Sequence, residues 1–224
     1  MKEAAKEKQN QSQLDVYFSR PPRPMGPWTS HIWRNDPRHL AFMLARYKFV
    51  AKMLEGMKSA IEVGCGDAFG TPIVAQTVKR VHCIDFESNL FEDNQARNER
   101  ENITFEILDI CNQIPKDKFE AAYSMDVIEH VPAAIEERLM TNVCAALLQH
   151  SVFIMGTPNI TASQYASPAS MEGHINLKGG HELKTLMGKY FHNVFLFSMN
   201  DEVVHTGYFP MSHYLIAMGV GKKG

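Results

Sequence analysis

Short apolar runs alternate along most of the chain with stretches whose apolar positions recur every three to four residues. The runs near 60–63, 81–85, 103–108, 119–125 and 151–156 read as strands, and the stretches near 71–79, 87–98, 133–148 and 181–190 read as helices. Strands that are apolar throughout are buried on both faces, so the alternation predicts βαβ crossovers and a mostly parallel sheet with helices on both faces. The chain closes differently. Val194–Met199 and His213–Met218 are strand-like with no helical pattern between them, which predicts an antiparallel pair at one sheet edge. The expected fold is therefore α/β and Rossmann-like, with a seven-stranded sheet whose last strand is antiparallel.

Two segments fall outside this alternation. Residues 1–14 are polar, lack an apolar stripe and are expected to be frayed, while Tyr17–Trp28 is proline-rich and aromatic and reads as an extended strap packed on something. Asp36 then offers an N-cap before Pro37, and Leu40, Met43, Leu44, Tyr47, Ala51 and Leu54 recur at helical spacing until Gly56. This divides the chain into an extension over 1–36 that serves as a lid and a main domain over 37–224. Thr157–Gly180, rich in Ser, Ala, Pro, Asn and Gly, reads as a lid, a binding loop or a disordered insertion.

Composition narrows the classes. Among 224 residues, 23 basic side chains against 25 acidic ones leave no excess positive charge for tracking phosphates, so a nucleic-acid partner is not expected. Cys65, Cys83, Cys111 and Cys144 form no CxxC pair and read as buried thiols in a reducing compartment. No apolar run approaches the roughly 20 residues needed to cross a bilayer, and the N-terminus MKEAAKEKQNQSQ is polar where a signal peptide is apolar. A cytoplasmic protein is the expectation.

The chemistry concentrates at AIEVGCGDAFGTP, Ala60 to Pro72, where an apolar run meets three glycines, with Thr71 as expected N-cap and Pro72 opening a helix. A strand that ends on glycines and re-enters a helix puts a ligand at the carboxyl edge of the sheet. The spacing G-C-G-D-A-F-G is one residue longer than the dinucleotide fingerprint, and Glu62 and Asp67 place two carboxylates where a pyrophosphate would sit. A ligand with an ammonium and a sulfonium tolerates them. Asp85 closes the second strand about 20 residues beyond the glycines, the offset at which an acid accepts from ribose hydroxyls, and this fits a dinucleotide or S-adenosylmethionine (SAM) equally. Asp109 closes the third strand, and Phe119–Pro132 carries the fourth strand into D-V-I-E-H-V-P.

With these motifs the chain resembles the class I SAM-dependent methyltransferases, and within them the ubiquinone-biosynthesis-like group of small-molecule methyltransferases, well over roughly 58–160 and loosely elsewhere. The resemblance implies that Glu62, Gly64, Cys65 and Gly66 surround the methionine end of SAM. It implies further that Asp85 holds the ribose beside Phe86, that Asp109 and Ile110 meet the adenine, and that Met125, Asp126 and Val127 flank the cofactor. Phe69 departs from the small residues common at its position. Trp28 or Trp33 of the strap is expected to shield the sulfonium by cation–π attraction.

Methyl transfer to a hydroxyl needs an acceptor held in line and a group to take its proton. His130, which the resemblance places near the transfer pocket, and His174, His181 and His205 are the candidate bases. No compact spacing such as H-x-x-x-H joins these histidines to Asp201 or Glu202, so no metal is expected. The fourth strand is followed by neither Asn/Asp-Pro-Pro-Tyr/Phe nor Pro-Cys, which argues against methylation of nucleic-acid bases. The expected activity is methylation, at oxygen, of a small-molecule or saccharide-type acceptor. The rivals are a SAM-binding regulatory or assembly protein without transferase activity and, less well supported, an NAD-dependent reductase.

Overall fold

The computed structural model describes residues 4–224, and the part of the expected frayed N-terminus that falls on residues 1–3 lies outside it. Five parallel strands form the body of the sheet: β1 (Ala60–Val63), β2 (Val81–Asp85), β3 (Ile103–Ile107), β4 (Phe119–Met125) and β5 (Leu147–Pro158). Three more follow, β6 (Phe191–Asn200), β7 (Val203–His205) and β8 (Tyr214–Lys222), and the order across the sheet is β3-β2-β1-β4-β5-β8-β6-β7. From β1 the chain runs outward through β2 and β3, then crosses to β4 and continues the other way. The carboxyl ends of β1 and β4 thus flank a topological switch point, the place where such sheets take their ligands.

The closing strands correct the expectation in one respect. The sheet has eight strands and not seven, because Asp201, at φ 49°, turns the chain within Asn200–Val203 and the short β7 pairs back on β6. β8 slots between β5 and β6 and is antiparallel to both.

Helices cover both faces, and the period-two alternation of each strand explains why. On one face Ile61, Val63, Phe153, Met155, Leu215 and Ala217 pack against α6 (Glu136–Ala145) and α8 (Gly180–Tyr190). On the other, Ala60, Val81, Cys83, Ala121, Tyr123, Ile154 and Ile216 pack against α3 (Pro37–Met53) and the turns after α4 (Thr71–Val74). The helix expected over 71–79 is regular only through Val74, and that expected over 133–148 only over 136–145, because β5 already begins at Leu147. A further helix, α5 (Ser88–Arg97), packs on β3.

The N-terminal segment is more helical than its prolines suggest. Gln11–Ser19 forms α1, which buries none of its residues, and Pro27–Asn35 forms α2, so only residues 21–26 have the extended character expected of the whole strap. Pro27 is the reason: it sits at the first helical position, where a missing N–H costs nothing, directly after Gly26 at φ 93°.

One carboxylate ties these layers together. Glu62, fully buried on β1, accepts Tyr47 Oη of α3 at 3.0 Å, Thr71 Oγ1 of α4 at 2.6 Å, Tyr123 Oη of β4 at 2.8 Å and Cys83 Sγ of β2 at 3.6 Å. Thr71 is therefore the first residue of α4 and not its cap, since its hydroxyl is committed to Glu62. Burial pushes the Glu62 carboxyl up to about 7, while the donors from Thr71, Tyr123, Tyr47 and Cys83 pull it back. Because that value lies above the roughly 4.3 of a free glutamate, the folded state holds the extra proton between the two, and stability falls as pH rises from about 5 to about 7. Urea unfolding is expected to show that decline in the wild type and a flatter profile in Glu62→Gln. At pH 7 the variant is expected to lose about 1–3 kcal/mol, since an amide leaves one of the converging hydroxyls without an acceptor. An undiminished slope in Glu62→Gln would assign the pH dependence to another group.

Candidate functional site

At the end of β1 the backbone turns through two left-handed glycines, Gly64 at φ 73° and Gly66 at φ 52°. A Cβ on Gly64 would stand 2.4 Å from Val127 Cγ2, so the bend and the loop after β4 approach as closely as they do only because this residue is glycine. Gly64 N and Cys65 N both donate to Ile84 O. Asp85 reaches across from β2, its Oδ2 accepting from Gly66 N at 2.8 Å and its Oδ1 from Glu87 N at 3.0 Å, while Asn94 Nδ2 of α5 donates to Gly66 O at 2.7 Å. Each Asp85 oxygen keeps a lone pair, and the carboxylate stands half-buried at the mouth of a cleft.

That cleft, of about 240 Å³, runs along the carboxyl edge and is lined by Gly64, Asp85, Phe86, Asp109, Ile110, Val127 and His130 among others. Its far wall carries Asp109, whose carboxylate also holds its own turn by accepting from Cys111 N at 2.9 Å and from the Asn112 side-chain amide. Phe86 is two-thirds exposed at the rim, as a ring awaiting a partner would be. Cys65 is buried behind the bend. Contact with Cys83 favours its thiolate, but burial and the Glu62 and Asp85 charges outweigh that contact and raise the thiol above its ordinary value, which marks it as inert.

Glu62 and Asp67, the two acids of the bend, are both engaged within the protein. Asp67 accepts from Thr29 N at 2.7 Å and from Thr29 Oγ1 at 3.0 Å, so it caps α2 from a distant part of the chain, and Arg97 Nη2 donates to its carbonyl at 2.8 Å. Gly26 is pressed so closely on this joint that a Cβ there would lie 2.7 Å from Asp67 Oδ2. Trp28 rides on this anchored helix, stacked on His31 with ring centroids 5.3 Å apart, and remains 61% exposed outside the residues that line the cleft.

On the other side of the switch point, β4 ends in Met125, buried beneath Tyr214, and in Asp126, which takes a left-handed φ of 58°. Asp126 Oδ2 pairs with Arg46 Nη1 at 2.6 Å, and the buried guanidinium lies 3.7 Å from the centre of the Tyr214 ring. Burial opposes the Arg46 charge, yet Asp126 and Tyr214 more than compensate, and the group stays firmly protonated. Glu129, with no exposed surface, accepts from Thr157 Oγ1 at 3.0 Å through Oε2, while its Oε1 has no partner. Burial, with the Asp126 charge next, pushes this carboxyl well above the usual range.

Of the four candidate bases, the fold brings two together. His130 Nδ1 lies 2.9 Å from Gly173 O and so carries the proton, leaving the Nε2 lone pair free, and the His174 ring meets it edge-on at 5.0 Å. Burial, then His130, lowers the His174 value and keeps that imidazole neutral. His181 packs instead on Phe209, and His205 holds the turn after β7, accepting from Gly207 N and contacting Asn200 Oδ1. Arg46, Glu129, Thr157 and Tyr214 went unnoticed in the sequence. Arg46 carried a signal, since it falls on the face of α3 that buries Tyr47 and Val50.

A glycine bend at a switch point, an acid ending β2 and a cleft between them form an arrangement suited to a nucleoside-containing ligand. Residues 61–155 match the model of the family described as "Methyltransferase domain". No curated protein matches the chain. Among solved structures, the N-methyltransferase NodS from Bradyrhizobium japonicum WM9, in complex with S-adenosyl-L-homocysteine (SAH), superposes with a TM-score of 0.62 at 14% identity over 84% of this chain and 91% of that one. A SAM-dependent methyltransferase from Clostridium acetobutylicum ATCC 824 superposes at 0.68, with 10% identity over 86% and 97% of the two chains. The complex between the Haloferax volcanii Trm112 methyltransferase activator and the putative methyltransferase gives 0.68 at 12% identity over 88% and 96%. The chain thus shares its fold with solved SAM-dependent methyltransferases and carries a match to a methyltransferase family model over 61–155, and the comparisons do not single out the ubiquinone-biosynthesis-like group.

The anchoring of α2 on Asp67 is testable without any ligand. Asp67→Ala removes the only side-chain acceptor of the α2 N-terminus among the described residues, a cap worth about 1–2 kcal/mol. Amide hydrogen exchange over 27–35 is expected to accelerate about tenfold or more while that of α6 is unchanged, and equal protection of α2 in the two proteins would count against the joint.

Proposed function

We propose that the protein methylates a hydroxyl of a small-molecule or saccharide-type acceptor, using SAM bound along the carboxyl edge of β1, β2 and β3. The observation that carries this reading is the cleft itself, in which Gly64, Asp85 and Asp109 stand along one trough with His130 at its wall. The donor set suits an adenosyl cofactor. Asp85 has lone pairs to accept from two ribose hydroxyls, Asp109 and Ile110 edge the place for adenine, and the Gly64–Gly66 backbone borders the methionine end. With Glu62 and Asp67 engaged internally, the backbone of the bend and not its carboxylates faces that end.

Bound there, SAM supplies a methyl carbon on a sulfonium, whose leaving group departs neutral. The chain has to hold an oxygen lone pair in line, exclude water and receive a proton. His130, its imidazole oriented by Gly173 O, stands at the cleft wall with Nε2 as the proton acceptor, and the His174 ring meets it edge-on. The preference for oxygen rests on this wall together with the absence of an Asn/Asp-Pro-Pro element after β4. The described residues contain no helix long and apolar enough to cross a membrane.

Two measurements test the reading. Calorimetric titration with SAH is expected to show saturable binding that weakens about tenfold or more in Asp85→Ala, with NAD giving no heat. Incubation of the protein with 13C-methyl SAM and the low-molecular-weight fraction of a cell extract is expected to yield a product whose labelled carbon resonates as an oxygen-bound methyl. Label on nitrogen, or in macromolecules alone, would overturn the assignment of the acceptor.

A further inference from the structure

We propose that Glu129, His130 and His174 form a site for a divalent transition-metal cation at the wall of the cofactor cleft. One carboxylate oxygen of Glu129 and one ring nitrogen from each histidine lie within 4.8 Å of one another. Ligands at the usual distances of about 2.0–2.2 Å around one ion stand roughly 3.4 Å apart in a tetrahedral arrangement, so small side-chain rotations bring the three into contact with a shared ion.

Independent features of the structure point to a ligand there. Glu129 has no exposed surface, and its Oε1 has no hydrogen-bond partner among the described residues although Oε2 is held by Thr157. An unpaired carboxylate oxygen in the interior is costly unless something not yet present compensates it. His130 donates Nδ1–H to the carbonyl of Gly173, the arrangement in which backbone fixes a metal-binding imidazole and aims its other nitrogen. The histidine from the long loop is also held in place. Asn176 N donates to Glu129 O at 3.0 Å, and Asn176 Nδ2 donates to Val131 O and to Glu136 Oε2, each at 2.9 Å, while Lys178 pairs with Glu136 at 2.6 Å. These bonds fasten residues 176–178, just beyond His174, onto the segment that carries Glu129 and His130.

Two imidazoles and one carboxylate suit borderline ions such as zinc, iron(II) or manganese, and three protein ligands leave coordination positions open. Because His130 also lines the cleft, an open position faces the place of the acceptor. This role rests on the hydroxyl-acceptor reading and, in the metal-loaded protein, takes the place of the His130 base, whose Nε2 is then a ligand: a hydroxyl oxygen bound to the cation loses its proton to solvent water more readily, as metal-bound water does.

Full-length protein stripped with a chelator is titrated with Co2+, followed by visible absorption, and with Zn2+ by competition. The expected result is one equivalent of Co2+ taken up with new absorption bands. Affinity is expected to be at least about tenfold weaker in His174→Ala, His130→Ala and Glu129→Gln and unchanged in His192→Ala, a histidine outside the cluster. Should Glu129→Gln fail to fold, the two histidine variants carry the test. Absence of Co2+ uptake by the wild type, or uptake undiminished in His174→Ala, would overturn the proposal. SAH titration of the same stripped protein separates the two readings, since SAH binding without Co2+ uptake sinks the metal site and leaves the cofactor cleft standing. Oxygen-linked label that forms at an undiminished rate in the presence of chelator would sink the assigned role.

Discussion

The carboxylate of Glu62 is the constraint on which the rest of the molecule depends. It is buried beneath the glycine bend, and it can be buried only because hydroxyls from α3, α4 and β4 and a thiol from β2 converge on it. A lone buried carboxylate would cost several kcal/mol, whereas one shared by several donors fixes the mutual positions of every element that contributes a donor. Gly70 belongs to the same arrangement, because a Cβ there would run into the ring of Tyr47 at 2.3 Å. The glycine bend is thus rigid for reasons that lie below it.

Asp67 and Asp126 extend this logic outward. Asp67 draws the N-terminal helix α2 onto the bend, and Asp126 takes a left-handed backbone conformation that is held by a buried arginine stacked on Tyr214. Glu62, Asp67 and Asp126 are therefore structural in their hydrogen bonding, and among the described residues the carboxylates that line the cleft are those of Asp85 and Asp109. Acid placement near a cofactor does not by itself say which acid touches it.

The strands of the parallel body were legible because they are short, predominantly apolar runs separated by helical periodicity. What escaped notice was local chemistry of short range or tertiary origin. The Asp201 turn adds a three-residue strand too short to show a pattern, and Pro27 starts a helix where a proline-rich strap was expected. Asp85, Asp109 and Gly64, which line one cleft, were singled out from strand ends and spacing. Arg46, Glu129 and Thr157 were not, because each acquires its partner only across 28 to 80 residues of sequence. Glu129 stood in plain view beside His130 in D-V-I-E-H, but an acid at a strand–helix junction reads as a cap until its burial is known.

The same reasoning explains why the histidines could not be sorted beforehand. Spacing rules detect metal or base pairs on one element, whereas His130 and His174 meet because Asn176 bonds the long loop to the segment after β4. His181 and His205, equally prominent in the sequence, are engaged by an aromatic ring and by a turn. What distinguishes the first pair is the buried, unpartnered oxygen of Glu129 behind them. A fold that satisfies Glu62 with a full set of donors, yet leaves Glu129 half-satisfied beside two imidazoles at the cleft wall, has one polar group braced by its own structure and another positioned to meet a ligand.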